Sequence, residues 1–302
     1  MIILDDQDQL NIPYDTAVTI GKFDGLHRGH RLLLDKVASC REEGLKSCFF
    51  TFDFSDFFDQ ARPNILTFDE TAAYLRGCGI DYLVRMPVTK AFFDLSYRNF
   101  LERNLLHDLH MKKIICGDDF CFGHDRLGTP DVLKALSSEL HYQVDVVPRI
   151  RDERGYISST RIRKDLSEGD VKDAAVCLGR PYSITGTVQH GRKLAEEWGF
   201  PTANIVPDRT KLLPKYGVYA VSAQLEGRTF RGIANVGTKP TVTNENVPVL
   251  EVHLFDLKED LYGCELKTEF ISFVRPEIRF SDVSALIRQM KKDIRTVRTM
   301  QE

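Results

Sequence analysis

The chain has 302 residues, of which 42% are hydrophobic and 28% charged, ordinary proportions for a globular protein, and at roughly 100–200 residues per domain its length favours two domains. The formal net charge of −3 argues against bulk attraction to nucleic acid or to an anionic membrane, no apolar run approaches the ~18 residues of a membrane span, and MIILDDQDQL lacks the basic-then-apolar order of a secretory signal. The seven cysteines are scattered and form no C-x-x-C pair, which argues against a disulfide framework and a zinc site and fits reduced thiols in a cytoplasmic protein.

In chain order, the first half alternates strand and helix signals. Ala17–Gly21 is a short apolar run ending in Gly. Gly29–Glu43 repeats apolar residues (Leu32, Leu33, Val37, Cys40) at helical spacing and stops at Gly44. Ser47–Phe52 reads as a strand, Asp69–Cys78 as a helix opened by an acidic cap, and Asp81–Met86 as a strand. Ser96–His110 reads as a helix with Ser96 as N-cap, and Lys113–Cys116 as a strand ending at Gly117. Pro130–Leu140 reads as a helix and Tyr142–Val147 as a strand. Strands separated by helices imply right-handed crossovers and a doubly wound, Rossmann-like parallel sheet. Ligands of such sheets bind at the carboxyl ends of the strands, so chemistry is expected in the loops 21–30 and 117–128. Beyond about residue 180 the pattern changes to closely spaced short strands: Ser183–Val188, Gly217–Leu225, Thr229–Val236, Leu250–Leu257 and Leu266–Val274. One long helical segment, Ser281–Arg298, follows. This predicts a small antiparallel barrel with a terminal helix, and domains at 1–180 and 181–302.

The run Gly21-Lys22-Phe23-Asp24-Gly25-Leu26-His27-Arg28-Gly29-His30 follows the first strand of that alternation. Gly21 and Gly25 permit a tight turn and close backbone approach to a ligand. His27 and His30 are three apart, so at a helix start both rings face one side, beside backbone N–H groups that attract anions. That set suits a triphosphate cradle; solvated histidines or a metal pair lacking a third ligand are the plainer alternatives. A second run, Ile157-Ser158-Ser159-Thr160-Arg161-Ile162-Arg163, packs three hydroxyls and two arginines ahead of a helix. Capping would use one hydroxyl, whereas the guanidinium groups of Arg161 and Arg163 match phosphate oxygens. No Walker-type G-x-x-x-x-G-K-[ST] and no G-x-G-x-x-G occurs; residues 186–193 have the first spacing but carry Arg192 where Lys belongs. The pairing of the two runs resembles the nucleotidylyltransferase superfamily, whose HxGH-type and ISSTxxR-type motifs grip ATP. A phosphate monoester is already ionised at neutral pH, so transfer to it needs alignment and charge stabilisation rather than a base; His27, His30 and Arg161 suit the catalytic part.

In the second half, GFPTAN (199–204) lies between strands. Thr202 and Asn204 offer neutral oxygen ligands suited to Mg²⁺ held mainly by ATP phosphates, with Gly199 and Pro201 shaping the turn; an Asx-type turn is the plainer reading. In the strand Leu250-Glu251-Val252-His253-Leu254, alternation turns Glu251 and His253 away from the buried face. Glu251 is therefore either a solvated strand residue or a general base for a neutral hydroxyl.

Taken together, the ordered set TIGKFDGLHRGH, GDDFCFG (117–123), ISSTRIR, LGRPYSITGTVQHG (178–191), GFPTAN, LLPKYGVYAV (212–221), ANVGTKPT (234–241), LEVHLFD (250–256), LYG (261–263) and VRPEIRF (274–280) resembles the prokaryotic bifunctional riboflavin kinase/FAD synthetase family over nearly the whole chain. The resemblance implies an N-terminal domain that adenylylates FMN to FAD and a C-terminal flavokinase barrel that phosphorylates riboflavin to FMN, both with ATP. It implies Thr202 and Asn204 as Mg-ATP contacts, Glu251 as catalytic base, and Asp119 as a residue near flavin or nucleotide. The run departs from the family pattern at 194–198, before GFPTAN, at 54–58, after the Phe52 strand, and at Cys121. A flavin-binding regulatory protein with one or both activities lost stays open as the alternative, as does a nucleotidylyltransferase for another phosphomonoester. Oligomeric state is not specified by any of these signals.

Overall fold

The computed structural model describes residues 1–5, 10–54, 62–189, 200–240, 246–257 and 259–300. Its contacts divide the chain into two compact units, Met1–Ser158 and Ser159–Glu302. The division falls before residue 180, the boundary expected from composition. The two helices between, α6 (Ser159–Glu168) and α7 (Val171–Leu178), pack on each other, and α7 packs on barrel strands that follow.

In the first unit β1 (Ile2–Leu4), β2 (Thr16–Ile20), β3 (Lys46–Asp53), β4 (Tyr82–Pro87), β5 (Met111–Gly117) and β6 (Gln143–Val147) form one all-parallel sheet in the order β1-β4-β3-β2-β5-β6. Its strands are buried on both faces, as a sheet covered by crossover helices must be. On one face Ala17, Phe49, Leu83 and Ile115 meet α1 (Arg28–Ser39) and α2 (Phe68–Gly77) through Leu33, Leu34, Val37, Ala72 and Leu75. On the other, Val18, Phe50, Val84 and Ile114 meet Phe100, Leu101, Leu105 and Leu133. Three of those come from a helical segment that runs Lys90–Phe93 (α3), Tyr97–Asn99 (α4) and then a π-helical stretch, Phe100–Asp108; Leu133 comes from α5 (Pro130–Ser137).

Local sequence fixes most of these ends. Ser96 caps α4 by accepting from the Asn99 N–H, and Thr129 caps α5 with Pro130 in its first turn. The opening of α2 differs from the expected acidic cap: Thr67 is the N-cap, and Glu70 returns a bond to the Thr67 N–H, completing a capping box. In α1 it is Leu34, not Leu32, that faces the core with Leu33 and Val37; Leu32 lies exposed. Strand β1 was not expected from sequence, because three residues on a sheet edge carry too little periodicity.

In the second unit β9 (Tyr182–Gln189), β10 (Ala203–Ile205), β11 (Gly217–Leu225), β12 (Arg228–Pro240), β13 (Asn246–Leu254) and β14 (Glu265–Arg275) close an antiparallel barrel in the order β10-β13-β12-β11-β14-β9, with β9 returning to β10. A two-residue turn joins β11 to β12, with Glu226 at φ 48° and Gly227 at φ 77°, the left-handed pair that matches strand twist. Alternate residues Ile205, Leu250, Val252, Ala234, Val236, Tyr219 and Phe270 are buried inside. Helix α8 (Val283–Thr299), capped by Asp282, covers part of the outside. A small hairpin, β7 (Arg151–Asp152) with β8 (Gly155–Tyr156), closes the first unit.

Candidate active sites

The first site forms where the strand order reverses. From β2 the chain moves to β3 and β4 on one side and returns to β5 on the other, so a crevice opens between the carboxyl ends of β2 and β5. Both loops expected to carry chemistry end there. The loop after β2 is bent by three left-handed residues in close succession, Phe23 (φ 48°), Gly25 (φ 87°) and Leu26 (φ 43°). For Phe and Leu that conformation costs on the order of 1–2 kcal/mol each. Burial of both side chains against the core offsets it. The Asp24 carboxylate accepts from the Ile65 N–H at 2.8 Å and ties the loop to the chain after β3, and a Cβ on Gly25 would meet Ile65 at 3.0 Å.

This loop delivers His27 as the N-cap of α1. His27 Nδ1 accepts from the His30 N–H at 3.4 Å, so that nitrogen carries no proton. The two rings stack at 3.6 Å and 18°, which confirms that i, i+3 spacing puts both on one side of the helix start. Position 29 is tight, since a Cβ would lie 3.1 Å from the His27 ring and the ring would have to give by a few tenths of an ångström. Phe23 packs edge-on against His30 at 4.9 Å. His30 Nδ1 is buried without a hydrogen-bond partner among the described residues. Burial, reinforced by the neighbouring His27, holds the His30 pKa well below its usual value. The site therefore presents a neutral His30 at the N-terminal end of a helix, where backbone N–H groups face outward.

Across the crevice, Arg149 bridges Asp118 (3.0 Å) and Asp119 (3.5 Å), and its guanidinium lies 4.6 Å over the Tyr156 ring. Asp119 is thus at the expected loop, and Arg149 is a partner that no motif had indicated. Phe120 and Phe122 stack beside it at 5.3 Å.

The run 157–163 spans the division between the units. Ile157 and Ser158 end the first; Ser159, Thr160, Arg161 and Arg163 belong to α6 in the second. Arg161 is nearly buried, and Nε and Nη2 each reach Asp173 at 2.9 Å, with Asp165 at 3.9 Å. Its planar fork is engaged by a carboxylate, an outcome sequence spacing could not foresee because Asp173 arrives on the next helix.

The second site lies on the outer wall of the barrel under α8. Residues directly opposite in antiparallel strands share a face, and Asn204, Glu251 and Asn235 stand opposite one another across β10, β13 and β12. Burial alternates along β13 as expected, with Leu250, Val252 and Leu254 inward. Asn204 falls in a strand rather than in the loop; its Nδ2 donates to the Thr202 carbonyl at 3.3 Å. His253 Nδ1 lies 2.8 Å from the Pro201 carbonyl. Thr202, Asn235, Glu251 and His253 form the polar end of a pocket of about 210 Å³, and Ile233, Ile278, Phe280, Leu286, Met290 and Ile294 line its apolar part. Arg275 and Glu277 also border it. Arg275 binds Asp293 of α8 through Nε (2.9 Å) and Nη2 (2.8 Å), which fixes the helix against β14. Glu277 lies over Gly237, where a Cβ would come within 2.3 Å of its carboxylate. Gly199 and the departures at 55–58 and 194–198 lie outside the described residues.

Family models agree with this arrangement: the model for FAD synthetase matches residues 9–161 and that for riboflavin kinase matches residues 178–301. A bifunctional riboflavin kinase/FMN adenylyltransferase from Pseudomonas fluorescens is 35% identical over 288 residues, covering 94% of this chain and 92% of its own. The chain belongs to the bifunctional riboflavin kinase/FMN adenylyltransferase family. A family member from Escherichia coli K12 is 36% identical over 291 residues, covering 93% of this chain and 91% of its own. A solved structure titled a macrolide-efflux protein from Streptococcus pneumoniae superposes with a TM-score of 0.89 at 30% identity over 100% of both chains. Among the described residues of this chain no helix is long and apolar enough to cross a membrane.

Proposed function

We propose that the chain phosphorylates riboflavin to FMN at the barrel pocket and adenylylates FMN to FAD at the crevice of the parallel sheet, with ATP as co-substrate of both. The observation that carries the kinase reading is the union of Thr202 and Glu251 at the polar end of a pocket that also has an apolar wall of Ile233, Ile278, Phe280, Leu286, Met290 and Ile294. A flat isoalloxazine suits the apolar part, and its ribityl chain would then lead the 5′-hydroxyl to Glu251. Glu251 takes the hydroxyl proton as the oxygen attacks the γ-phosphorus, and ADP departs with the bond electrons. Thr202 and Asn204 are neutral oxygen donors of the hard kind that Mg²⁺ accepts when ATP supplies most ligands, and Gly199 and Pro201 frame that turn. Bound Mg²⁺ would supply charge neutralisation on the phosphates.

At the crevice an FMN phosphate oxygen attacks the α-phosphorus of ATP and pyrophosphate leaves. His27, His30 and the first N–H groups of α1 suit the phosphates, with Gly21, Phe23, Asp24 and Gly25 shaping the approach. Ser158, Ser159, Thr160 and Arg163 are assigned to the same reaction on the family motif alone. Within that motif Arg163 is the better candidate for a phosphate contact, because the Arg161 fork is held by Asp173. Asp119, bridged to Arg149, is assigned to flavin or nucleotide. On this division of roles Arg163→Ala lowers FAD synthesis by about 10²-fold, the scale of one lost transition-state donor, at unchanged thermal stability. Arg161→Ala instead lowers the thermal midpoint, since it strands a buried carboxylate. Seven cysteines without a disulfide, four of them buried, support a cytoplasmic setting.

Incubation with riboflavin and Mg-ATP, with riboflavin, FMN and FAD separated over time, tests the whole. FMN is expected first and FAD after it. Failure to form either from riboflavin would leave the regulatory alternative, whose support lies in the departures at 54–58 and 194–198.

A further inference from the structure

The mechanism above gives His253 no role, yet it is one of the most constrained side chains at the barrel site. It stands two residues from Glu251 on the same face of β13 and borders the same pocket. Phe200 and Phe255 each meet its ring edge-on at 5.9 Å, at 80° and 68°. Its backbone is held close to β12, where a Cβ on Gly232 would come within 2.6 Å of the His253 carbonyl oxygen. The ring is thus aimed before any ligand arrives. Its Nδ1 is 2.8 Å from the Pro201 carbonyl oxygen. A carbonyl can only accept, so Nδ1 carries the proton, and it does so in the neutral tautomer and in the imidazolium alike.

A peptide group is planar, so pinning the Pro201 carbonyl fixes the plane that leads into Thr202. The next plane is pinned as well, because Asn204 Nδ2 donates to the Thr202 carbonyl at 3.3 Å. Two consecutive peptide planes are therefore set from β13 and β10, and Thr202 sits between them. We propose that His253 is a positioning residue of the kinase reaction: its Nδ1–H holds the Pro201 carbonyl and thereby sets the Thr202 side chain for Mg-ATP opposite Glu251. The inference rests on the reading of Thr202 as a Mg-ATP contact.

The test compares His253→Ala, His253→Asn, His253→Gln and Thr202→Ala in the full-length chain. An Asn amide places an N–H close to where the ring Nδ1–H stands; a Gln amide reaches one carbon further. Loss of one neutral hydrogen bond predicts that His253→Ala and His253→Gln raise the KM for Mg-ATP about tenfold, with kcat and the riboflavin KM within about twofold and His253→Asn close to the parent. In the ligand-free chain, amide hydrogen exchange at residues 202–204 should be faster in His253→Ala and His253→Gln than in His253→Asn. If Thr202→Ala raises the Mg-ATP KM while His253→Ala leaves it and the exchange rates unchanged, the positioning role is wrong and the Thr202 reading stands. If Thr202→Ala leaves the KM unchanged, the Thr202 reading itself falls. Should His253→Ala lower the thermal midpoint so far that the barrel does not fold, the Asn and Gln variants decide: equal losses in both, shared between kcat and both KM values, would make the ring a packing residue and overturn the proposal.

Discussion

His30 is buried at a helix start beside a second imidazole, and its depressed pKa follows from burial first and His27 second. In the unfolded chain the same ring takes a proton near its ordinary pKa of about 6.5. Unfolding therefore takes up a proton below about pH 6.5, and stability falls as pH drops through that value and below. The thermal midpoint of the parent should decline more steeply between pH 7 and pH 5.5 than that of His30→Asn; equal slopes would mean that His30 is protonated in the folded chain. If ATP binds with its phosphates against these rings, their negative charge opposes the effect of His27, and ATP should flatten the parent's slope. Glu251 is tested in a different way. Glu251→Gln keeps shape and reach but removes the proton acceptor, so riboflavin phosphorylation should fall by about 10²–10⁴-fold in kcat with KM values little changed. FAD synthesis from supplied FMN should persist, because that nucleophile is already ionised. Parental phosphorylation in Glu251→Gln would assign the base to another group.

At the scale of elements, β12 and the segment after β14 meet through one missing side chain. Glu277 lies where a Cβ on Gly237 would intrude to 2.3 Å, with Asn235 Nδ2 at 3.2 Å from the same point. Gly237→Ala must displace the Glu277 carboxylate from its place beside the pocket. Glu277 is exposed and the clash is with the far end of its flexible side chain, so the thermal midpoint should change little, within about 0.5 kcal/mol, while the riboflavin KM should rise more than the Mg-ATP KM. In a Glu277→Ala background the same substitution should leave the riboflavin KM unchanged, and the double-mutant cycle measures the coupling; additive effects would show that the contact is not responsible. The element scale is also where local signals were most informative. Ser96, Thr129 and the Glu226-Gly227 pair set helix starts and a hairpin with bonds inside a few residues of themselves.

For the whole molecule, the place where the chain divides has a measurable consequence. α7 buries Val171, Ala174, Cys177 and Leu178 and packs on β9 and β14, and the Lys215 N–H donates to the Leu166 carbonyl of α6 at 2.8 Å. A fragment beginning at Pro181 forfeits these contacts. Each fully buried aliphatic side chain is worth about 1.5–3 kcal/mol, so a fragment beginning at Ser159 should be the more stable by several kcal/mol. Both should lack FAD synthesis, and the longer one should phosphorylate riboflavin. Equal thermal midpoints for the two fragments would show that α6 and α7 add nothing to the barrel.

The sequence by itself determined the alternation of strand and helix in the first half, the barrel in the second, and the residue types at both sites. Each of those is written in periods of two or 3.6 residues, in turn and cap residues, or in short runs such as GKFDGLHRGH and GFPTAN, which act over a few positions. It did not reveal β1 or β10, whose three residues owe their extended form to partners far away in the chain. Nor could it show that Arg161 is held, because the carboxylate that engages it comes from the following helix. Asn235, His253, Arg275 and Glu277 lay inside recognisable runs, yet only strand register and the packing of α8 bring them to one pocket. Those contacts join residues tens of positions apart, and which pairs meet is decided by closing the barrel, not by any local preference of the chain.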